Sequence, residues 1–157
     1  MNLKKIASVS MIGLAALSLA GCSLSNNVAS LDPYAPSDGV LVDTNNLKAR
    51  NLLFIQGESG KAVLIGSFLN SQAQNVTATL QTQDVDGKDV RVEFNVPAEQ
   101  KFDIGYNGTE GITLQLNAEP GSMHEVYLND GSDPIGILVP VVDGSLEEYR
   151  PYAEALG

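Results

Sequence analysis

The sequence predicts an all-β domain, and three observations carry that prediction. Apolar and polar residues alternate with a period of two through most of the stretch from Val40 to Val142, which places one side-chain set on each face of an extended strand. Turn-forming pairs that tolerate positive φ recur between those runs, at Asp86-Gly87, Asn107-Gly108, Pro120-Gly121, Asp130-Gly131 and Asp143-Gly144. No segment between residues 40 and 142 carries an apolar stripe at helical spacing.

The strands follow in order. Leu52 to Ile55 and Ala62 to Ile65 are apolar on both parities, which suits strands covered on both faces. Between them Gly57-Glu58-Ser59-Gly60 reads as a hairpin turn. Val76, Ala78 and Leu80 alternate with Thr77, Thr79 and Gln81. Val90, Val92, Phe94 and Val96 alternate with Asp89, Arg91, Glu93 and Asn95, and Ile112, Leu114 and Leu116 with Thr113, Gln115 and Asn117. Each of these three is a half-buried strand with one wet face. A strand follows from Met123 to Leu128, and Ile137 to Val141 closes the domain. Pro140 has no N–H to give a ladder, so the last strand is expected at a sheet edge. About seven or eight short strands at this spacing, over residues 38–144, imply an antiparallel β-sandwich of immunoglobulin-like type.

The chain opens differently. Lys4 and Lys5 precede an almost uncharged run from Ile6 to Gly21. That run is short for a bilayer span, which takes about 20 mainly apolar residues, so residues 1–21 read as a secretory signal. Leu19-Ala20-Gly21-Cys22 resembles the bacterial lipobox. The resemblance implies cleavage before Cys22, a thioether diacylglycerol on its sulfur, and fatty acylation of the new N-terminus in some lineages. Cys22 is the only cysteine, so no disulfide within the chain competes for it. Two or three acyl chains hold a membrane far more firmly than one. The expected location is the extracytoplasmic face of the cell membrane.

Residues 22–37 are polar, carry Pro33 and Pro36, and show no periodicity, as a tether would. Cleavage removes Lys4 and Lys5 from the 9 basic residues and none of the 19 acidic ones, moving the formal net charge from −10 to −12. Such a surface repels nucleic acid and anionic headgroups, and both are excluded as electrostatic partners. At the other end, residues 145–157 form a short tail in which Ser145-Leu146-Glu147-Glu148 fits a capping box, while Pro151 limits any helix to about a turn. The tail either docks on the sandwich or frays. If it is free, Tyr149 and Tyr152 are the candidate partner-binding aromatics.

No constellation for catalysis emerges. The chain has one histidine, His124, with Ser122 two residues away and no nucleophile-elbow pattern around it. Gly57 to Lys61 fails the phosphate-loop spacing. Asp84-Val85-Asp86-Gly87-Lys88-Asp89 resembles a calcium loop faintly, but Asp89 and Asn95 stand where an EF-hand needs glycine and glutamate. The chain is therefore expected to be no enzyme and to need no cofactor.

Three further segments carry a family resemblance: Ala62-Val63-Leu64-Ile65-Gly66-Ser67-Phe68-Leu69-Asn70, Pro120-Gly121-Ser122 before a hydrophobic strand, and Ile137-Leu138-Val139-Pro140-Val141. From about Lys61 to Gly144 the chain resembles a family of small actinobacterial surface lipoproteins that are distantly similar to periplasmic copper chaperones of the PCuAC type. Those chaperones hold Cu(I) with two methionines and two histidines, and soft ligands suit that ion. Once Met1 and Met11 leave with the signal, only Met123 and His124 remain as candidate metal ligands. Adjacent strand residues point to opposite faces, so the pair cannot chelate one ion without a bulge. Two functions are thus expected of a chain anchored in the bilayer through Cys22. The first is a non-catalytic binding or accessory module for an envelope or membrane protein. The alternative is a metallochaperone serving a copper enzyme such as a respiratory oxidase.

The anchor is directly testable. Cys22→Ala is expected to abolish acylation and to release the protein or leave it as uncleaved precursor; mass spectrometry of the mature chain showing a start other than Cys22, or no acyl mass, rules the lipobox reading out.

Overall fold

The computed structural model describes residues 37–157; the signal at 1–21, Cys22 and the tether up to residue 36 lie outside the described residues. Nine strands follow one another: β1 (Val40–Asp43), β2 (Leu47–Gln56), β3 (Lys61–Asn70), β4 (Val76–Gln83), β5 (Asp89–Val96), β6 (Lys101–Ile104), β7 (Ile112–Gln115), β8 (Met123–Asn129) and β9 (Ile135–Val142). Among the described residues a single helix, α1 (Arg150–Leu156), comes last. The domain is all-β, as the period-two pattern requires. The count exceeds seven or eight because β1 and β6 are four-residue strands, too short to alternate visibly.

The strands form one mixed sheet in the order β5-β4-β8-β9-β2-β3-β6, with β1 also on β2 and β7 also on β3. All pairings are antiparallel except β2 with β9, which run parallel through Phe54↔Val141 and Ile55↔Val142. The expectation of a wholly antiparallel arrangement is therefore corrected. The sheet curls so that its two end strands, β5 and β6, approach each other, and it nearly closes as a barrel. Where β5 approaches β6, Phe94 stacks on Phe102 at 5.3 Å and meets Phe68 at 4.7 Å, filling the seam.

Edges are shared by broken strands. β1 takes β2 from Lys48 to Leu52, and β9 takes it from Phe54. The changeover coincides with a bulge between Arg50 and Leu53, where Asn51 adopts φ +52°. β7 and β6 likewise divide one side of β3, at residues 61–64 and 66–69. Asn107-Gly108, which reads as a hairpin signal, is a left-handed turn in the loop between these two strands and closes no hairpin.

The expected edge position of the last strand is also corrected: β9 lies between β8 and β2. Val141 donates its N–H toward the β8 side, to Ser122 O at 2.9 Å. The nitrogen of Pro140 therefore faces the other side, where β2 pairing begins only at Val141. The proline sits where no ladder bond is missing.

β2 and β3 are buried on both faces, as their sequence demands. One face, with Leu52, Phe54, Ala62, Leu64 and Phe68, joins the main core beside Val126, Leu128, Val139 and Val141. The other, with Leu53, Ile55, Val63 and Ile65, lies under Tyr149, Tyr152, Ala153 and Leu156 of the tail. The tail thus docks. Tyr149 Oη donates to Asp38 Oδ2 at 2.9 Å and Tyr152 Oη to Gly105 O at 2.9 Å. Ser59 pins the far end, its N–H giving to Gly157 O at 2.5 Å and its hydroxyl to Leu156 O at 3.0 Å. Gly57 permits this approach, since a Cβ there would stand 2.8 Å from Ala153 O.

The expected capping box does not form. Tyr149 is the N-cap, without a side-chain cap bond, and Pro151 lies in the first turn of α1. A proline there loses no hydrogen bond and has its φ preset, so it starts the helix instead of ending it.

The tail is part of the fold, and stability measurements can show it. Tyr149→Ala is expected to cost about 3 kcal/mol, within the range for removing a buried aromatic, and Tyr149→Phe about 1 kcal/mol for the lost hydrogen bond to Asp38. Deleting residues 145–157 uncovers four apolar side chains and is expected to lower the urea midpoint further still; a truncated domain as stable as the full one sinks this assignment.

Candidate partner-binding surface

β8 alternates as its sequence suggests. Val126 and Leu128 are buried and His124 half-buried on the inner face, whereas Met123, Glu125 and Tyr127 are exposed on the outer one. Across the β8–β9 ladder Met123 stands opposite Pro140, Glu125 opposite Leu138, and Tyr127 opposite Gly136. Leu138 is exposed as well. Gly136 lies under the Tyr127 and Glu125 side chains, since a Cβ there would stand in ordinary contact, 3.4 Å, with Tyr127 Cε1 and Glu125 Oε1. The Glu125 carboxylate, as hydrogen-bond acceptor and as negative charge, pushes the Tyr127 phenol above its usual range. Beyond β8 the neighbouring strands are polar outward: Gln81 lies opposite both Tyr127 and Arg91, and Thr79 opposite Asn129 and Glu93. One half of this outer face is wet and the other half apolar.

The two candidate metal ligands do not come together. His124 Nε2 lies 2.9 Å from Thr82 Oγ1 and 3.0 Å from the Gln83 carbonyl oxygen, and the ring packs edge-on against Phe54 at 5.5 Å. A carbonyl only accepts, and the Thr82 hydroxyl already donates to Glu125 O at 2.8 Å. Both contacts are satisfied by the tautomer with the proton on Nε2, which leaves the ring's free lone pair on Nδ1. Met123 projects from the opposite face, and no bulge interrupts the β8–β9 register between them. Among the described residues no three His, Cys, Asp or Glu side chains group closely enough to hold an ion. The Asp84–Asp89 loop is a hairpin turn closed on itself, with Asp84 Oδ1 accepting from Asp86 N at 3.0 Å and Lys88 N at 2.9 Å.

Two carboxylates, buried Asp130 and half-buried Asp103, escape sequence reasoning. Asp130 accepts from Thr44 Oγ1 at 2.5 Å, Asn46 N at 2.8 Å, Ser132 N at 3.1 Å and the Ser132 hydroxyl. Burial raises its carboxyl, but the Ser132 and Thr44 hydroxyls and the two amides outweigh burial and hold it below its usual range. It braces the β1–β2 turn against the β8–β9 turn. Asp103 accepts from Ser67 Oγ and Asn107 Nδ2, each at 2.6 Å, and from Lys101 Nζ at 2.8 Å. Burial again opposes, and Lys101, Ser67 and Asn107 again prevail, leaving the carboxyl lowered. Asp103 lines a small cavity of about 270 Å³ with Asn51 and Tyr106. A carboxylate held ionised by three donors is a weak base, so Ser67 beside it is not an activated nucleophile. In the sequence Asp130 is hidden inside a turn dipeptide, and the partners of Asp103 come from other elements at no fixed spacing.

The larger open cleft, about 780 Å³, lies between the β2–β3 turn and α1. Glu58, Asp143 and Glu154 line it with Arg150, and it holds neither histidine nor thiol. Tyr149 is buried and Tyr152 half-buried beneath the tail, so neither aromatic ring stands free as an interface anchor.

The signal-free protein is expected to bind Cu(I) no more tightly than a variant with Met123→Ala and His124→Ala combined. A competition titration that finds a tight one-to-one complex, abolished by those changes, overturns that expectation.

No known family description matches this chain, and no characterised protein is significantly similar to it.

Proposed function

We propose that this chain is a lipid-anchored extracytoplasmic protein whose β-domain is a non-catalytic binding or accessory module for a membrane or envelope protein. The observation that carries the reading is the apolar half of the outer β8–β9 face: Met123, Tyr127 and Leu138 are together exposed on a regular, rigid ladder. Exposed apolar side chains grouped on one face beside polar residues suit an interaction surface. The leader and Cys22 support the anchor, and a tether of residues 22–37 supports reach. Tethering raises the effective concentration of the domain near membrane partners, so a modest face suffices for association. We read the curled sheet as an immunoglobulin-like sandwich, a scaffold that commonly presents its faces and loops to partners. The metallochaperone alternative draws on the family resemblance, and the placement of His124 and Met123 on opposite faces of β8 does not favour it.

Chemical crosslinking in native membranes, followed by mass spectrometry, tests the proposal. The full chain is expected to give a reproducible adduct with a membrane or envelope protein, and Leu138→Asp is expected to reduce that adduct several-fold while leaving the thermal melt unchanged. Absence of any heterologous adduct, or an adduct indifferent to every outer-face substitution, overturns it.

A further inference from the structure

The domain has two outer faces rich in apolar side chains, and its own tail covers one of them. The other presents Met123 at 51%, Tyr127 at 43% and Leu138 at 59% exposure, with Pro140 half-buried opposite Met123. This second face is not uniformly apolar. Glu125 projects from its middle, between Met123 and Tyr127 along β8 and opposite Leu138 on β9. Among the described residues no Lys or Arg forms an ion pair with Glu125. Arg91, the only Lys or Arg in the strands β4, β5, β8 and β9, is separated from β8 by β4 and turns to Thr79 Oγ1 at 3.5 Å; His124 of β8 points to the inner face.

That pattern selects among occupants. A second copy docked about a two-fold axis would bring two Glu125 carboxylates and two strongly acidic domains together. An uncharged lipid surface would desolvate the Glu125 charge with no cation to pair it. An anionic lipid surface would repel it. A protein segment with an apolar side chain beside a lysine or arginine answers each part of the patch. The apolar group covers Met123 and Leu138, the cation pairs with Glu125, and the Tyr127 ring beside Gly136 offers the same cation its face. We propose that the outer face of β8 and β9 docks a partner-protein segment carrying an apolar residue next to a Lys or Arg, with Glu125 as the residue that selects the cation. This rests on the reading of the chain as a binding module.

The test uses the full chain in its native membranes, with a benzoylphenylalanine photocrosslinker placed in turn at position 138, on the proposed face, and at positions 93 and 107, away from it. Irradiation is expected to give an adduct from position 138 to a different protein, with a Lys or Arg close to the attachment point in the crosslinked peptide. Glu125→Lys is expected to lower its yield about tenfold or more, the scale of one reversed charge pair in a partly buried interface, and Glu125→Gln by less. Melts of both variants are expected to match the parent, because Glu125 is exposed. Crosslinks from 93 or 107 without one from 138 overturn the proposed face and leave the binding-module reading standing. An adduct of the chain with itself, or with its own residues 22–36, overturns the proposed occupant. So does an adduct whose yield Glu125→Lys does not change. Crosslinks from none of the three positions overturn the module reading and this inference together.

Discussion

Leu52 to Ile55 on β2 and Ala62 to Ile65 on β3 carry apolar side chains on both faces, and covering both sets the plan of the domain. A strand pair of this kind cannot sit at a wet surface. The main core settles against one face, and the other is left needing a lid. The last residues of the chain supply it: the tail returns across the outer face, and Tyr149, Tyr152, Ala153 and Leu156 close over Leu53, Ile55, Val63 and Ile65. Both long strands must also be flanked on their hydrogen-bonding edges, and four shorter or later strands share that work, β1 and β9 on β2, β6 and β7 on β3.

This plan has a consequence for function. Because the tail is consumed on the β2–β3 side, the β8–β9 side keeps an open outer face. The two faces differ in their polar content as well. Under the tail, the polar atoms near the apolar side chains are phenols paired within the domain, to Asp38 and to Gly105. On the open face, a carboxylate stands among Met123, Tyr127 and Leu138 with no cation paired to it among the described residues. An apolar patch built around an acid that lacks a cation suits a reversible partner better than a permanent lid, since the acid stays hydrated when the partner leaves.

The polar interior serves rigidity. Asp130 and Asp103 each collect three or more donors from separate elements, so the β1–β2 turn is locked to the β8–β9 turn and β3 is locked to the loop after β6. Their carboxyls lie below the usual range, so their contribution to stability is present at neutral pH and is lost as pH falls through the folded values.

Period-two alternation by itself determined that the domain is β and which residues of β4, β5, β7 and β8 face inward, because one face of each strand is wet and the other dry. Runs that are apolar on both parities likewise marked β2 and β3 as covered twice over. Parity also set Met123 and His124 on opposite faces. Local pattern had no access to strand order. That β9 joins β2 in parallel, that Pro140 stands at the changeover between partners, and that Asn107-Gly108 spans two strands on the same edge are outcomes of long-range packing. The tail shows the same division. Its amphiphilic residues were legible, but whether they docked depended on an uncovered apolar face 80 or more residues away in sequence. Pro151 and the Ser145–Glu148 pair were misread for a related reason: a helix start is fixed by where the chain first meets its packing surface, and here that is Tyr149. The open β8–β9 face could be listed residue by residue from the sequence, yet only the tertiary structure decided that nothing within the described residues lies over it, since exposure is a property of what the rest of the chain fails to reach.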